Sequence, residues 1–169
     1  MRIVCLRGLA ALGTTLALGC SLAPPHANPA HSSGAPAPER MRTIKPGSEL
    51  ERRWHSVYQE LLGVPYRFGG SSTAGFDCSG LVQYAYRQFD GRKLPRTTED
   101  LYRYGEKVGK GGLASGDLVF YETSGRSPGH VGIYLWDGWF LHSAYGEGVT
   151  LTKLDDPYYE RRFLGARRL

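Results

Sequence analysis

The sequence predicts an α+β fold in which N-terminal helices pack on one face of a mostly antiparallel sheet. In the first part of the domain, apolar residues recur every three or four positions, which is typical of helices that bury one side. After Gly112 the apolar period shortens to two, which is typical of strands joined by short turns. We find no internal repeat, so the 169 residues predict a single folded domain preceded by a tail.

The first 45 residues are predicted to lie outside that domain. Residues 1–19 combine two arginines with an apolar run, Leu9–Leu18, which is too short to span a bilayer and is typical of a signal peptide. Small residues precede Cys20, and this pattern resembles the lipidation site of bacterial lipoproteins, in which the cysteine carries palmitate. Residues 20–45 are rich in Pro, Ala and Ser, which predicts an extended linker. Residues 46–169 remain for the folded domain.

The residues around Cys20 also bear on the location of the protein. Ser21, rather than an aspartate, follows the cysteine, and this resembles lipoproteins that are sorted to the outer membrane. We therefore expect lipid anchoring at the periplasmic face of the outer membrane. Ala17 stands where leucine is usual, so ordinary secretion is the alternative. The net charge is +5, but no basic run with interleaved aromatic residues occurs, and we expect no nucleic acid among the partners.

The folded domain begins with a predicted helix that carries a capping box. Ser48 is the expected N-cap, and Glu51, three residues on, can accept a hydrogen bond from the backbone of Ser48. Apolar residues follow at helical spacing as far as Leu62, and Gly63 is expected to stop the helix.

Two further helices are predicted before the strands begin. The stretch GFDCSGLVQYAYRQF repeats apolar residues at helical spacing and places Cys78 in the first turn. After LPR, a short helix is expected with Thr97 or Thr98 as its N-cap. Cys78 therefore lies at the start of a helix, on the side that faces the core.

Four strands are predicted after Gly112, and the C-terminal tail would add a fifth. In chain order they are GDLVFYE, HVGIYL, WFLHSA, GVTLTKL and, in the tail, RRFLGARRL. Short turns separate the first four, so neighbouring strands are expected to pair in antiparallel fashion.

The turn between the second and third of these strands decides whether two histidines can meet. A two-residue loop at Asp137-Gly138 would turn His130 and His142 to opposite faces of the sheet. A three-residue loop pairs Leu135 with Trp139 instead and turns both histidines to one face as diagonal neighbours. The second register also gathers the apolar residues on the other face, so we predict the three-residue loop with a bulge.

Cys78 is the only cysteine in the predicted domain, because Cys5 leaves with the leader and Cys20 would carry lipid. A buried structural thiol is the simpler alternative. Against it, a helix N-terminus favours the thiolate and is expected to lower its pKa, and two histidines lie on adjacent strands. A thiol, a base and a third group that orients the base suffice for nucleophilic catalysis. The sequence therefore predicts Cys78, His130 and His142 as catalytic residues.

Six stretches resemble, in order and spacing, the NlpC family of bacterial cell-wall cysteine peptidases. They are GVPYRFGG, GFDCSGLVQYAY, LPRTT, LASGDLVFY, GHVGIYL and FLHSA. The resemblance runs from about Leu50 to Leu169 and is strongest to the small lipoproteins of that family. It implies a papain-like α+β core, with Cys78 as nucleophile, His130 as general base and His142 holding the ring of His130.

The resemblance also implies roles for residues around the thiol. Tyr66 would help to form the oxyanion site, together with the backbone N–H of the nucleophile. Asp77 and Ser79 would line the substrate groove, with helix capping as the alternative for Asp77. Arg96 and Asp117 match the family pattern as well and are expected to be structural.

The implied activity is that of a murein endopeptidase, which hydrolyses amide bonds in stem peptides or cross-links without a metal or another cofactor. We expect peptidoglycan stem peptides as substrates and a monomeric protein. The cut bond is left open, D-Glu to diaminopimelate or the cross-link from diaminopimelate to D-Ala; the small-lipoprotein resemblance favours the cross-link. Leu101-Tyr102 occupy a stretch where the family often has glutamine, so the subsites are left open too.

Two other functions remain as alternatives. A CHAP-type amidase also uses Cys and His, but its third residue is typically Asn or an acid, and His142 counts against it. A non-catalytic lipoprotein would use the same scaffold only to bind peptidoglycan. Because Cys78, His130 and His142 are all present, the sequence favours the enzyme.

Overall fold

The computed structural model describes residues 45–123 and 125–169. The predicted signal peptide, Cys20 and nearly all of the predicted linker lie outside these residues, so the expectations about them stay predictions. Within the described ranges, no helix has the length and apolar character that crossing a membrane requires.

Four α-helices and eight strands make up the described part of the chain. The helices are α1 (Glu49–Gln59), α2 (Cys78–Asp90), α3 (Thr98–Arg103) and α4 (Pro157–Glu160). The strands are β1 (Ser71–Ser72), β2 (Gly75–Phe76), β3 (Glu106–Val108), β4 (Leu118–Thr123), β5 (Arg126–Tyr134), β6 (Trp139–Ala144), β7 (Gly148–Lys153) and β8 (Phe163–Arg168).

Six of the strands form one antiparallel sheet in the order β3-β8-β4-β5-β6-β7. The five strands predicted from the period-two stretches are all present, which confirms the predicted sheet. The tail strand β8 lies between β3 and β4 rather than at an edge. The sequence pattern misses β3 and the β1-β2 ribbon, because two or three residues are too few to show a period.

Helix α1 begins at the predicted capping box. The Ser48 hydroxyl accepts the backbone N–H of Glu51, and the Glu51 carboxylate accepts the backbone N–H of Ser48. The helix ends at Gln59, about one turn before Gly63, so the predicted stop at Gly63 is wrong. The helix does not continue to Gly63 because that residue contacts the sheet instead. Gly63, at φ 79°, donates its N–H to the carbonyl oxygen of Val149 in β7.

The turn between β5 and β6 has the predicted three-residue loop. The backbone N–H of Leu135 donates to the carbonyl oxygen of Trp139 at 2.8 Å, so residues 136–138 form the loop. Asp137 and Gly138 both adopt positive φ, 51° and 75°. This confirms the predicted register, which determines the side chains that share each face of the two strands.

Both faces of the sheet are buried. Helices α1, α2 and α3 cover one face, here called the helix face, over an apolar cluster whose sheet residues are Leu118, Phe120, Val131, Ile133, Leu135, Leu141, Val149 and Leu151. Helix α4 packs on the opposite face, here called the α4 face, within a cluster that includes Val119, Tyr121, Phe140, Tyr158, Tyr159 and Ala166. The predicted α+β class is confirmed. The N-terminal helices share one face as predicted, whereas α4 was not predicted, because its four residues are too few to show a helical period.

Candidate active site

Cys78 is the first residue of α2 and is buried where that helix meets the sheet. Asp77 is the N-cap, and its carboxylate accepts the N–H of Gly80 at 2.6 Å. Gly80 permits a close approach to the preceding loop, since a Cβ there would lie 2.0 Å from the carbonyl oxygen of Gly70. The sulfur of Cys78 lies 3.6 Å from the hydroxyl of Thr98 at the start of α3. The capped start of α2 thus sets the position of the sulfur.

Burial raises the pKa of the Cys78 thiol above its ordinary value. The hydrogen bond with Thr98 and the backbone N–H groups of Val131 and Ser79 lower this pKa, and the charge of Asp77 raises it, without reversing the net direction. The expectation that the helix N-terminus lowers the pKa is therefore wrong, because desolvation outweighs the stabilisation at the helix end. Formation of the thiolate at neutral pH needs a base that takes the proton.

His130 on β5 and His142 on β6 form the second half of the site. Their rings meet edge to face, and His130 Nε2 lies 3.1 Å from His142 Nδ1, within hydrogen-bonding distance. Both rings lie on the α4 face, against Tyr121 and Phe140 respectively. Gly132 leaves room between the strands, since a Cβ there would lie only 3.3 Å from the Cβ of His142. The predicted meeting of the two histidines is confirmed.

Further side chains of the α4 face hold His142. Its Nε2 lies 2.9 Å from the Thr152 Oγ1, and the Tyr159 hydroxyl lies 3.5 Å from its Nδ1. The Phe140 ring stacks on it with 4.7 Å between ring centroids. Because His142 is only 1% exposed, its ring has a fixed orientation and can orient the ring of His130 in turn.

Cys78 and His130 line the same small cavity beside the middle of β5, together with Tyr66, Thr123, Gly129, Ser143 and Tyr145. Nε2 of His130 contacts His142, so a proton transferred from the thiol would be taken by Nδ1. Cys78 also lines an open groove of about 420 Å³, with Phe68, Asp77, Ser79, Thr98, Arg126 and Pro128 among its other residues. The sulfur therefore lies between a groove that can admit a substrate and an imidazole that can act as a base.

Tyr66 lines both the cavity and the groove. Burial raises the pKa of its phenol, and the neighbouring Cys78, Asp77 and Tyr145 raise it further. The phenol therefore stays protonated at neutral pH and can donate its O–H to an oxygen that develops negative charge beside the sulfur. The oxyanion role stays a prediction that this position allows.

The carboxylate of Asp77 is bound on both oxygens by the protein itself. Besides the N–H of Gly80 it accepts the N–H of Gly69 at 3.0 Å, and two nitrogens of Arg96 donate to it at 3.0 and 2.6 Å. Arg96 also donates to the hydroxyl of Ser79 at 2.8 Å. The capping alternative for Asp77 is confirmed, and Arg96 joins two loops to the start of α2. Asp77 and Ser79 still line the groove, so their contact with substrate stays a prediction.

Asp117 has a structural role, as predicted. Its buried carboxylate accepts the backbone N–H of Ala114 and two hydrogen bonds from Arg168 in β8. These bonds join the turn before β4 to the C-terminal strand.

Two threonines of the site could not be recognised from the sequence. Thr98 contacts the thiol, although the sequence suggests it only as a helix cap, and Thr97 is the actual N-cap of α3. Thr152 contacts His142 from β7. A signal for Thr152 exists in GVTLTKL, where Thr150 and Thr152 share one face of a strand that pairs with the strand of His142.

The fold and the site together define a papain-like α+β domain with a thiol at a helix start and paired imidazoles on the sheet. In the part of the chain that the structure describes, no three His, Cys, Asp or Glu side chains are grouped as a metal ion would require. The chain belongs to the NlpC/P60 family, whose profile matches residues 63–168. This confirms the family resemblance and the papain-like core that it implies.

Two of its curated relatives are similar over most of the folded domain. The probable endopeptidase NlpC homolog of Haemophilus influenzae is 40% identical over 114 residues, which cover 68% of this chain and 60% of that protein. The murein DD-endopeptidase MepS/murein LD-carboxypeptidase of Escherichia coli K12 is 37% identical over 121 residues, which cover 72% of this chain and 64% of that protein. The chain thus spans less than two thirds of the length of each.

A solved structure with a similar fold is RipD from Mycobacterium tuberculosis, described as a non-catalytic NlpC/p60 domain protein adapted to peptidoglycan binding. It is 27% identical with a TM-score of 0.58, and the match covers 73% of this chain and 99% of RipD. The fold alone therefore does not decide between catalysis and binding, and the decision depends on the site.

Proposed function

We propose that this protein is a cysteine-type murein endopeptidase, which hydrolyses amide bonds in the peptide part of peptidoglycan. Cys78 is the nucleophile, His130 the general base and His142 the residue that orients the base. One observation carries the proposal: Cys78 and His130 share a cavity, and His142 Nδ1 lies 3.1 Å from the far nitrogen of His130. A thiol, a base and an orienting third group are what cysteine catalysis requires.

The first half of the reaction acylates the enzyme. His130 takes the proton of Cys78, and the thiolate attacks the carbonyl carbon of the amide, whose electron pair moves to the oxygen. The phenol of Tyr66 and the backbone N–H of Cys78 donate to that oxyanion. His130 then gives its proton to the amine as the C–N bond breaks, which leaves a thioester on Cys78.

The second half releases the acid. His130 takes a proton from a water molecule, which attacks the thioester carbon, and the C–S bond breaks as the sulfur regains a proton. Each time His130 becomes an imidazolium, its Nε2–H donates to Nδ1 of His142. Proton transfers of this kind contribute about 10²–10⁴-fold to the rate.

The substrate we favour is a murein cross-link. The Escherichia coli relative is named a DD-endopeptidase, and this name supports the bond between diaminopimelate and D-Ala over the bond between D-Glu and diaminopimelate. The groove beside Cys78 is open, as a branched polymer requires, and Arg126 on its rim can attract the carboxylates of stem peptides.

The proposed location follows from the sequence. A lipid on Cys20 and a linker over residues 20–45 would hold the domain, as a monomer, at the periplasmic face of the outer membrane within reach of the wall. The relatives named as murein enzymes support a place in the cell envelope. Palmitate labelling of the full chain, lost in Cys20→Ala, tests the anchor.

Cleavage of purified muropeptides by the full chain, read by mass spectrometry, tests the enzymatic proposal. Cleavage is expected for the unaltered protein and is expected to be lost in Cys78→Ala and His130→Gln. His55→Gln is the matched control, because His55 lies on α1, near Tyr58 and Trp136, and is not among the residues that line the cavity. The masses of the products also identify the bond. Cleavage that survives Cys78→Ala would overturn the proposal.

A second candidate function is binding without cleavage, which the similarity to RipD favours. The CHAP-type alternative is less suited to this site. The residue that contacts His130 here is a histidine, His142, whereas a CHAP-type amidase typically has Asn or an acid. If the unaltered protein and Cys78→Ala both sediment with sacculi and neither releases products, binding is the function. If only the unaltered protein releases products, the endopeptidase is supported.

A further inference from the structure

Thr152 brings a hydroxyl to the side of His142 that faces away from His130. It lies on β7, pairs with Phe140 across the sheet and is only 4% exposed. Its Oγ1 lies 2.9 Å from His142 Nε2, while His142 Nδ1 lies 3.1 Å from His130 Nε2. The three side chains form one row of hydrogen-bonding groups from β7 to β5, which ends at the cavity that Cys78 lines.

The row can carry its protons in two ways. In the first arrangement, His130 Nε2–H donates to His142 Nδ1, and His142 Nε2–H donates to Thr152. In the second, both bonds are reversed: the Thr152 O–H donates to His142 Nε2, and His142 Nδ1–H donates to His130. Only the first arrangement leaves Nδ1 of a neutral His130 with the lone pair that a base needs.

The reaction itself selects the first arrangement. Once His130 has taken the thiol proton, both of its ring nitrogens carry hydrogen, so its Nε2–H needs an acceptor. Neutral His142 can accept at Nδ1 only when its own proton is on Nε2. That buried N–H then needs an acceptor in turn, because a buried donor without one is unfavourable, and Thr152 Oγ1 occupies that position.

We propose that Thr152 is a positioning residue whose hydroxyl oxygen keeps the proton of His142 on Nε2 and thereby stabilises the imidazolium of His130. The inference rests on the proposed function for its effect on turnover, whereas the tautomer of His142 is a property of the folded protein.

Nitrogen-15 spectra of the histidine rings test the proposal in the full chain. With the signals of His142 assigned through His142→Gln, we expect Nε2 to be protonated and Nδ1 to be unprotonated. Thr152→Val removes the hydroxyl and keeps the branched shape. It is expected to move the proton towards Nδ1 and to lower kcat for muropeptides by about tenfold, with KM nearly unchanged. Thr152→Ser, which keeps the hydroxyl, is the matched control and is expected to retain both properties.

Three results would overturn the proposal. One is a His142 protonated on Nδ1 in the unaltered protein, a measurement that needs no variant to fold. The others are a Thr152→Val protein with unchanged tautomer and kcat, and a Thr152→Ser protein as slow as Thr152→Val. If the unaltered protein cleaves no muropeptide, the proposed function fails, whereas the ring spectra still decide where His142 carries its proton.

Discussion

Leu141 and His142 are neighbours on β6, yet they lie on opposite faces of the sheet. Leu141 is fully buried in the apolar cluster of the helix face. His142 lies on the α4 face, where it contacts Phe140, Thr152 and Tyr159. Because side chains alternate along a strand, one strand supplies both apolar packing and a polar network. The comparison suggests that the stability of the fold and the chemistry of the site can be changed separately.

Residues from both faces line the active-site cavity beside the middle of β5. Cys78 belongs to the cluster of the helix face and lies near the backbone N–H of Val131, whereas the ring of His130 lies on the α4 face. Both residues line one cavity. The site therefore depends on the register of β5, since a shift of one residue would turn His130 to the helix face.

Between the two faces of β6, the larger expected effect on turnover comes from His142→Leu, which removes both ring nitrogens and keeps a buried side chain of similar size. Without an acceptor for its Nε2–H, His130 is less stable as an imidazolium. We expect kcat for muropeptides to fall by about 10²–10⁴-fold, with the free energy of unfolding lowered by about 1–3 kcal/mol because Thr152 and His130 lose a buried partner. Turnover and urea unfolding measured on the same sample check both parts.

Leu141→Ala is the matched change one residue away. It leaves a cavity in the helix-face cluster and is expected to lower the free energy of unfolding by about 2–5 kcal/mol, with kcat of the folded fraction nearly unchanged. If Leu141→Ala slowed turnover as much as His142→Leu did, the two faces would not be separable and the comparison would fail.

Arg96→Met tests the ion pair at the start of α2. It removes both hydrogen bonds from the guanidinium to the Asp77 carboxylate and loosens the loop that carries Thr98. The Arg96 side chain is 38% exposed, so we expect a loss of about 2 kcal/mol in the free energy of unfolding, less than for a fully buried pair. Denaturant unfolding measures this loss.

Arg92→Met is its control, because the pair of Arg92 with Asp90 has the same 2.6 Å separation and a similarly exposed guanidinium, whereas the Asp90 carboxylate is more exposed than that of Asp77, 23% against 13%. A loss of at most about 1 kcal/mol is expected there. Equal losses in the two variants would show that the Asp77 pair contributes no more to the free energy of unfolding than the Asp90 pair does.

The fold could be predicted wherever periodicity and turn chemistry act over several residues. The register of β5 and β6 follows from the loop at Asp137 and Gly138, because only one loop length places the apolar residues on a common face. Helix α4 and strand β3 could not be predicted, because four and three residues are too few to show a period. Their positions depend on tertiary packing and on pairing with β8.

The site could be predicted where a residue type itself indicates chemistry. Cysteine and histidine are rare residue types with few structural roles, which made Cys78, His130 and His142 visible in the sequence. Threonine is common, and Thr98 and Thr152 become part of the site only through a contact with a residue distant in sequence. The direction of the pKa shift of Cys78 could not be predicted from the sequence. The helix end is visible in the sequence, but the depth of burial that outweighs it is a property of the packed structure.

The pH dependence of Cys78 alkylation tests which group produces the thiolate. Burial raises the pKa of the folded thiol, so the protonated form stabilises the fold fully below the ordinary thiol pKa, and this contribution is lost as the pH rises through the raised value. In His130→Gln the base is absent and the burial remains. We expect the midpoint of iodoacetamide alkylation to rise above that of the unaltered protein and the rate at pH 7 to fall by about tenfold. An unchanged midpoint would indicate that the helix N-terminus, and not His130, stabilises the thiolate.

The smallest expected effect comes from Thr98→Val, which removes the hydroxyl 3.6 Å from the sulfur. That hydroxyl lowers the pKa of the thiol, so its loss raises the pKa further. We expect the rate of alkylation at pH 7 and kcat/KM each to fall by about two- to tenfold. Thr98→Ser should restore both rates.

Thr97→Val is the control for that change, because the adjacent hydroxyl has a different function. It accepts the N–H of Asp100 at 3.1 Å as the N-cap of α3. Its loss is expected to lower the free energy of unfolding by about 1 kcal/mol and to leave the alkylation midpoint of Cys78 in place. If Thr97→Val moved that midpoint as far as Thr98→Val did, the effect would come from the loosened start of α3 and not from the hydroxyl beside the sulfur.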